Sequence, residues 1–158
     1  MFETDLTVTA ISKDPDLWYL AAPLIYSNAT VRITIPRGFI TDLASIPHVV
    51  DWLPFLDRDG PSRRPGGLHD GVYSLGRERG KDWADALLRE ACLAEGMNAW
   101  QADAYYDAVQ RFGADAWAQD AREGTAGAIT SGDFYTQQYF DDWKAAGGTI
   151  FTPLGDPR

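Results

Sequence analysis

His69 and Asp70 stand side by side in the string Leu68-His69-Asp70-Gly71-Val72-Tyr73. An imidazole titrates close to neutrality and can take a proton from water, and a carboxylate beside it can hold a hard cation such as calcium. The same pair has a structural use, with the imidazole packed at a helix start and Asp70 near the positive end of the helix dipole. Two further acids bear on the choice. Asp42 lies in Gly38-Phe39-Ile40-Thr41-Asp42-Leu43-Ala44-Ser45-Ile46-Pro47, where Gly38 permits a tight turn and neighbouring peptide carbonyls offer oxygens, half of a calcium site. Its alternative use is an Asx turn. Asp85 lies in Asp82-Trp83-Ala84-Asp85-Ala86-Leu87-Leu88, where it could orient an imidazole on a neighbouring antiparallel helix. Its alternative is to stabilise its own helix start, since the wheel puts it outside the stripe of Trp83, Ala84, Leu87 and Ala91.

The elements that must carry these residues follow from periodicity. Leu6, Val8 and Ala10 alternate with Thr7 and Thr9, and Val31, Ile33 and Ile35 alternate with Arg32 and Thr34, the pattern of strands. Leu17-Trp18-Tyr19-Leu20 and Leu24-Ile25-Tyr26 add β-rich stretches, and Ser27-Asn28 supplies a turn, so an antiparallel meander is the simplest arrangement. Residues 36–67 are broken by Pro36, Pro47, Pro54, Pro61 and Pro65 and read as a long shaped loop. Helices are expected over residues 68–75, 83–95 and 99–112, with Asp82 and Asn98 as N-caps and Gly96 and Gly113 as stops. On the first of them Leu68, Val72 and Leu75 share one face, with His69 and Tyr73 on its flank. A final helix over residues 133–146 places Tyr135, Tyr139 and Trp143 in an aromatic stripe that docks on the domain or on a partner. The expected organisation is a single α+β domain over residues 1–120, with a C-terminal extension over residues 121–158.

Composition narrows the function classes. The 158 residues are 45% hydrophobic, enough for one core. Twenty-three acids against 14 bases give a net charge of −9, which repels phosphate backbones and anionic lipid head groups at long range and argues against nucleic acid as a partner. With only His48, His69 and the lone Cys92, neither an internal disulfide nor a Cys/His zinc site can be built. Cys92 reads as buried filler, and Arg58, Arg63 and Arg64 as a solvated cluster beside Asp57 and Asp59, with Arg63 and Arg64 alternatively a greeting for an anionic substrate or acidic partner. No apolar run reaches the length of a bilayer span, and the start Met1-Phe2-Glu3-Thr4-Asp5 lacks a signal-peptide pattern, so synthesis and retention in a reducing cytoplasm are expected.

Gly38-Phe39-x-Thr41-Asp42-x-Ala44-Ser45-x-Pro47, Leu68-His69-Asp70-x-x-Tyr73, Ala84-Asp85-x-x-Leu88 and Tyr105-Tyr106-x-Ala108-Val109-x-x-Phe112-Gly113 with Trp117 together resemble the phage-associated domain-of-unknown-function family 1353. That resemblance implies a bacteriophage or prophage origin, with synthesis in the host cytoplasm. More distantly, an Asp-containing loop followed by His-Asp-x-x-Tyr and a further Asp is similar to the small prokaryotic phospholipase A2 enzymes. By that similarity His69 is the base, Asp85 its orienter, Tyr73 a supporting hydroxyl, and Asp42, the Leu43 carbonyl and Asp70 the calcium ligands. The helical half would then resemble the phospholipase helix pair. The chain departs from those enzymes in lacking their paired cysteines, in having Leu43-Ala44 after the loop Asp, and in its strand-rich start. Two functions are expected in competition: a calcium-dependent ester hydrolase acting on host-envelope lipid, and a non-catalytic virion or tail accessory protein whose C-terminal helix docks on other virion proteins.

Overall fold

Alternating apolar residues build two small antiparallel sheets in the computed structural model, which describes residues 1–13, 16–41, 60–123 and 137–154. In β3 (Leu24–Ser27) and β4 (Val31–Ile35) every second side chain is buried: Leu24 and Tyr26 on one strand, Val31, Ile33 and Ile35 on the other. Asn28 makes the turn between them, its Oδ1 accepting the backbone N–H groups of Thr30 and Val31 at 3.0 Å each. β1 (Val8–Lys13) and β2 (Asp16–Leu20) form a second antiparallel pair, with an irregularity between Ala10 and Ser12.

The strands do not form one continuous meander. β2 pairs on its other side with β5 (Ile40–Thr41), and β4 pairs with β6 (Phe151–Pro153). The chain turns back onto β2 through Gly38, whose φ of +83° suits glycine, and Gly38 N–H donates to Leu20 O at 2.8 Å while Leu20 N–H donates to Phe39 O at 2.9 Å. That edge of β2 is therefore taken before β3 could use it. β6 belongs to the segment beyond residue 120, and Ile150 and Phe151 lie in the main core with Leu24, Ile33, Ile35, Leu68 and Val72.

The helices are α1 (Arg63–Leu75), α2 (Lys81–Ala94), α3 (Ala99–Glu123) and α4 (Gln137–Ala145). With the sheets they make an α+β fold. α1 starts five residues before the expected 68, because Pro65 falls in the first turn, where a missing N–H costs no helical bond. Gly80 takes the N-cap place of α2, so Asp82 sits in its first turn. Asn98 does cap α3: its Oδ1 accepts Gln101 N–H at 3.0 Å and its own N–H donates to Gln101 Oε1 at 3.2 Å, a reciprocal box. α3 continues past Gly113 to Glu123. In α4, Trp143 packs on the main core while Tyr139 is exposed; Tyr135 lies outside the described residues. Lys144 Nζ donates to Leu75 O at 2.5 Å and meets Glu78 at 3.1 Å, tying α4 to the end of α1. Among the described residues no helix is long and apolar enough to cross a membrane.

Candidate active site

α1 and α2 are joined by the short turn at residues 76–80 and meet again at their far ends through Arg64 Nε and Glu95 Oε2 at 2.6 Å, so they run antiparallel. α2 also packs on α3 through Leu88, Cys92, Met97, Ala102, Tyr105 and Val109. Lying between two helices, α2 has its polar flank walled in as well as its apolar stripe. Asp85, which the wheel placed outside that stripe, is 0% exposed for this reason.

Four donors converge on its carboxylate. His69 Nε2 is 2.9 Å from Oδ1 and the Tyr73 hydroxyl donates to the same oxygen at 2.5 Å, the two side chains coming from successive turns of α1. Lys81 Nζ, one turn before Asp85 on α2, donates to Oδ2 at 2.5 Å, and Gln110 Nε2 on α3 donates to the same atom at 2.5 Å. Lys81 also reaches Val109 O at 3.0 Å. Gly113 lets α3 come this close: a Cβ there would stand 3.0 Å from the Tyr73 hydroxyl oxygen. The glycine expected to stop the helix instead allows its approach.

The electrostatics follow from these contacts. Burial pushes the Asp85 carboxyl up, but the hydrogen bonds from His69, Lys81 and Tyr73 outweigh it and hold the group below its ordinary value, so it is ionised. Burial holds His69, only 2% exposed, below its ordinary value and outweighs the upward pull of Asp85, so the imidazole is neutral. An ionised carboxylate can only accept, which puts the single imidazole proton on Nε2 and the lone pair on Nδ1. The ring is further packed on Tyr73, centroids 4.0 Å apart. Tyr73 in turn meets Trp117 edge-on at 4.8 Å, and the Arg77 guanidinium stacks on that indole at 3.9 Å.

Residues 18–109 match the family described as "Protein of unknown function (DUF1353)". The chain belongs to that family. No curated protein and no solved structure matches it. The part shared with DUF1353 covers His69, Asp70, Tyr73, Lys81 and Asp85 and ends one residue before Gln110.

Of the residues singled out from sequence, His69, Tyr73 and Asp85 come together. Asp70, 7% exposed, points to a different neighbour: its Oδ2 accepts the Thr41 hydroxyl at 2.5 Å, which brings α1 to β5. Asp42, Leu43 and His48 lie outside the described residues. Among the described residues no three His, Cys, Asp or Glu side chains are grouped to hold a metal ion. Arg64 is engaged by Glu95, and the Arg63 guanidinium lies 5.9 Å from the Trp18 ring centroid. Cys92 is buried, its thiol pushed up to about 12 by burial and then by the Glu95 charge, which suits filler and not a nucleophile. Lys81 and Gln110 were not among the candidates. Lys81 carries a signal in its i, i+4 spacing to Asp85; Gln110 carries none, because its place depends on how α3 packs. The assembly holds a neutral imidazole in one orientation, with its lone pair on Nδ1.

Proposed function

We propose that this protein is a bacteriophage ester hydrolase of phospholipase A2-like chemistry, acting on lipid of the host envelope, with His69 as general base and Asp85 as its orienter. The observation that supports this most is the 2.9 Å contact between His69 Nε2 and Asp85 Oδ1, with Tyr73 on the same oxygen. A base held so needs no reorientation before it acts. As water attacks the ester carbonyl carbon, Nδ1 takes its proton. The same proton then passes to the departing alkoxide, so that a carboxylic acid and an alcohol leave and His69 is restored. The positive charge that forms on the ring in between is offset by Asp85, already ionised beside it.

The residue after His69 in sequence supplies hard oxygens, the Asp70 carboxylate with the Thr41 hydroxyl on it, and the chain runs directly from Thr41 into Asp42 and Leu43. That donor chemistry fits calcium better than a soft metal. Asp70, Asp42 and the Leu43 carbonyl would hold the ion. Calcium, when bound, polarises an ester carbonyl.

A second reading is favoured by the four hydrogen bonds from three helices on one carboxylate, beside an imidazole 2% exposed. The same network can serve as a structural knot in a virion or tail accessory protein, with the C-terminal segment docking on a neighbouring virion protein. Release of fatty acid from phosphatidylethanolamine and phosphatidylglycerol vesicles decides between them. The hydrolase releases fatty acid with calcium present and His69→Ala does not. No release by the wild-type chain with or without calcium, together with copurification with phage particles, leaves the structural role.

A further inference from the structure

Two side chains outside the candidate triad hold its acid from the opposite side. We propose that Lys81 and Gln110 are the positioning residues of the site: they grip Oδ2 of Asp85 from α2 and α3, so that Oδ1 is presented to His69 and Tyr73. This rests on the hydrolase reading for its kinetic consequence, though not for its geometry.

A carboxylate on a two-bond stem can turn about its last bond, and two donors on Oδ1 alone would leave that rotation open. With Lys81 Nζ and Gln110 Nε2 both at 2.5 Å from Oδ2, each oxygen carries two donors and the plane of the group is set. Lys81 is itself tied down, since its ammonium spans from Asp85 to Val109 O at 3.0 Å. It thereby couples the α3 backbone to the acid, and Gln110 on the next residue of α3 does so through its side chain. A planar pair of acceptors held from both ends is how an orienting group keeps an imidazole within the narrow range a proton transfer tolerates. Lys81, with a side chain 17% exposed, and Gln110, also half-buried, are the two donors that link the fully buried acid to α3 and to the solvent side.

The experiment compares wild type with Lys81→Met, Lys81→Arg, Gln110→Leu and Gln110→Met in three readouts: thermal melting, kcat and KM on vesicles, and the proton NMR signal of the His69 Nε2–H, assigned with His69→Asn. Positioning predicts that Lys81→Met and Gln110→Leu lower kcat by at least about tenfold with KM unchanged, shift or broaden the Nε2–H signal, and that Lys81→Arg restores most of both. A merely structural grip moves the melting temperature alone. An Nε2–H signal unchanged in folded Lys81→Met and in either Gln110 variant overturns the proposal. Lys81→Arg and Gln110→Met retain the shape of the site and keep the comparison available if the other variants do not fold. A shifted Nε2–H signal in variants of a wild type that releases no fatty acid supports the grip and removes the hydrolase reading instead.

Discussion

Asp85→Asn and Asp85→Ala differ by a few atoms and should differ widely in consequence. Truncation to Ala leaves the His69 Nε2–H, the Tyr73 hydroxyl, the Lys81 ammonium and the Gln110 amide facing a cavity with no acceptor. One buried donor left without a partner costs about 1–3 kcal/mol, and a buried charge stripped of its partner about 3–5 kcal/mol. Lys81 can fall back on Val109 O and the four losses are not additive, so about 3–5 kcal/mol in total is expected. At roughly 2–4 °C per kcal/mol for a chain of this size, the melting temperature falls by about 6–20 °C. Asn can keep most of the network in one arrangement, with the Tyr73 hydroxyl turned from donor to acceptor and its own proton losing the Asp85 oxygen. The Asn carbonyl oxygen takes the place of Oδ2 for Lys81 and Gln110, and the Asn NH₂ donates to the Tyr73 oxygen and to His69 Nε2. The second bond requires the imidazole proton to move to Nδ1. Asp85→Asn shares with Asp85→Ala the loss of the Lys81 counter-charge but leaves fewer donors unmet, so its stability loss is smaller by about 1–3 kcal/mol, yet the lone pair that served as base is gone, a change worth about 10⁴-fold in kcat where a triad acid has been so replaced. Urea denaturation followed by far-UV circular dichroism, run beside fatty-acid release, reads both effects. Equal stability losses in the two variants, or an active Asp85→Asn, would refute the reasoning.

Other perturbations probe the frame around the site. A Cβ at Gly71 would stand 2.5 Å from Ile35 Cδ1, so Gly71→Ala should destabilise by about 1–3 kcal/mol despite the better helix propensity of Ala; a stabilised variant in urea titration would contradict that close packing of α1 on β4. Both titrating members of the pair are held below their ordinary values of 6.5 for His69 and 3.8 for Asp85. The unfolded chain therefore binds each proton at a higher pH than the native one. Stability is complete above about pH 6.5, declines as His69 is forced to charge, and declines again below about pH 4 as Asp85 is protonated. Denaturation midpoints that rise between about pH 7 and pH 5 would be the wrong sign, and His69→Asn should flatten the upper limb. Calcium should raise the melting temperature of wild type and leave Asp70→Ala unmoved; equal shifts would place the ion elsewhere.

The shared flank of His69 and Tyr73 was legible from spacing, while Asp85 read equally as their partner or as a stabiliser of its own helix start. A five-residue turn obliges α2 to fold back along α1, bringing its first turns opposite them. Gln110 was not legible, since which residue of α3 faces Asp85 depends on the packing of Leu88, Cys92 and Val109. Gly113 was misread for a related reason: a glycine read as a stop can equally mark close approach, and only the neighbouring Tyr73 hydroxyl distinguishes the two. The strands were visible from alternation, but their partners were not. β5 and β6 come from distant parts of the chain to take the edges of β2 and β4, and periodicity within a strand carries no record of what lies beside it.

The whole account turns on where one proton sits. Nitrogen-15 and proton NMR of the His69 imidazole near neutral pH, with His69→Asn used for assignment, locates it directly. The account predicts a neutral ring protonated on Nε2, bonded to Asp85, with an unprotonated Nδ1. A proton on Nδ1, or on both nitrogens at that pH, would leave no lone pair to act on water and would contradict it.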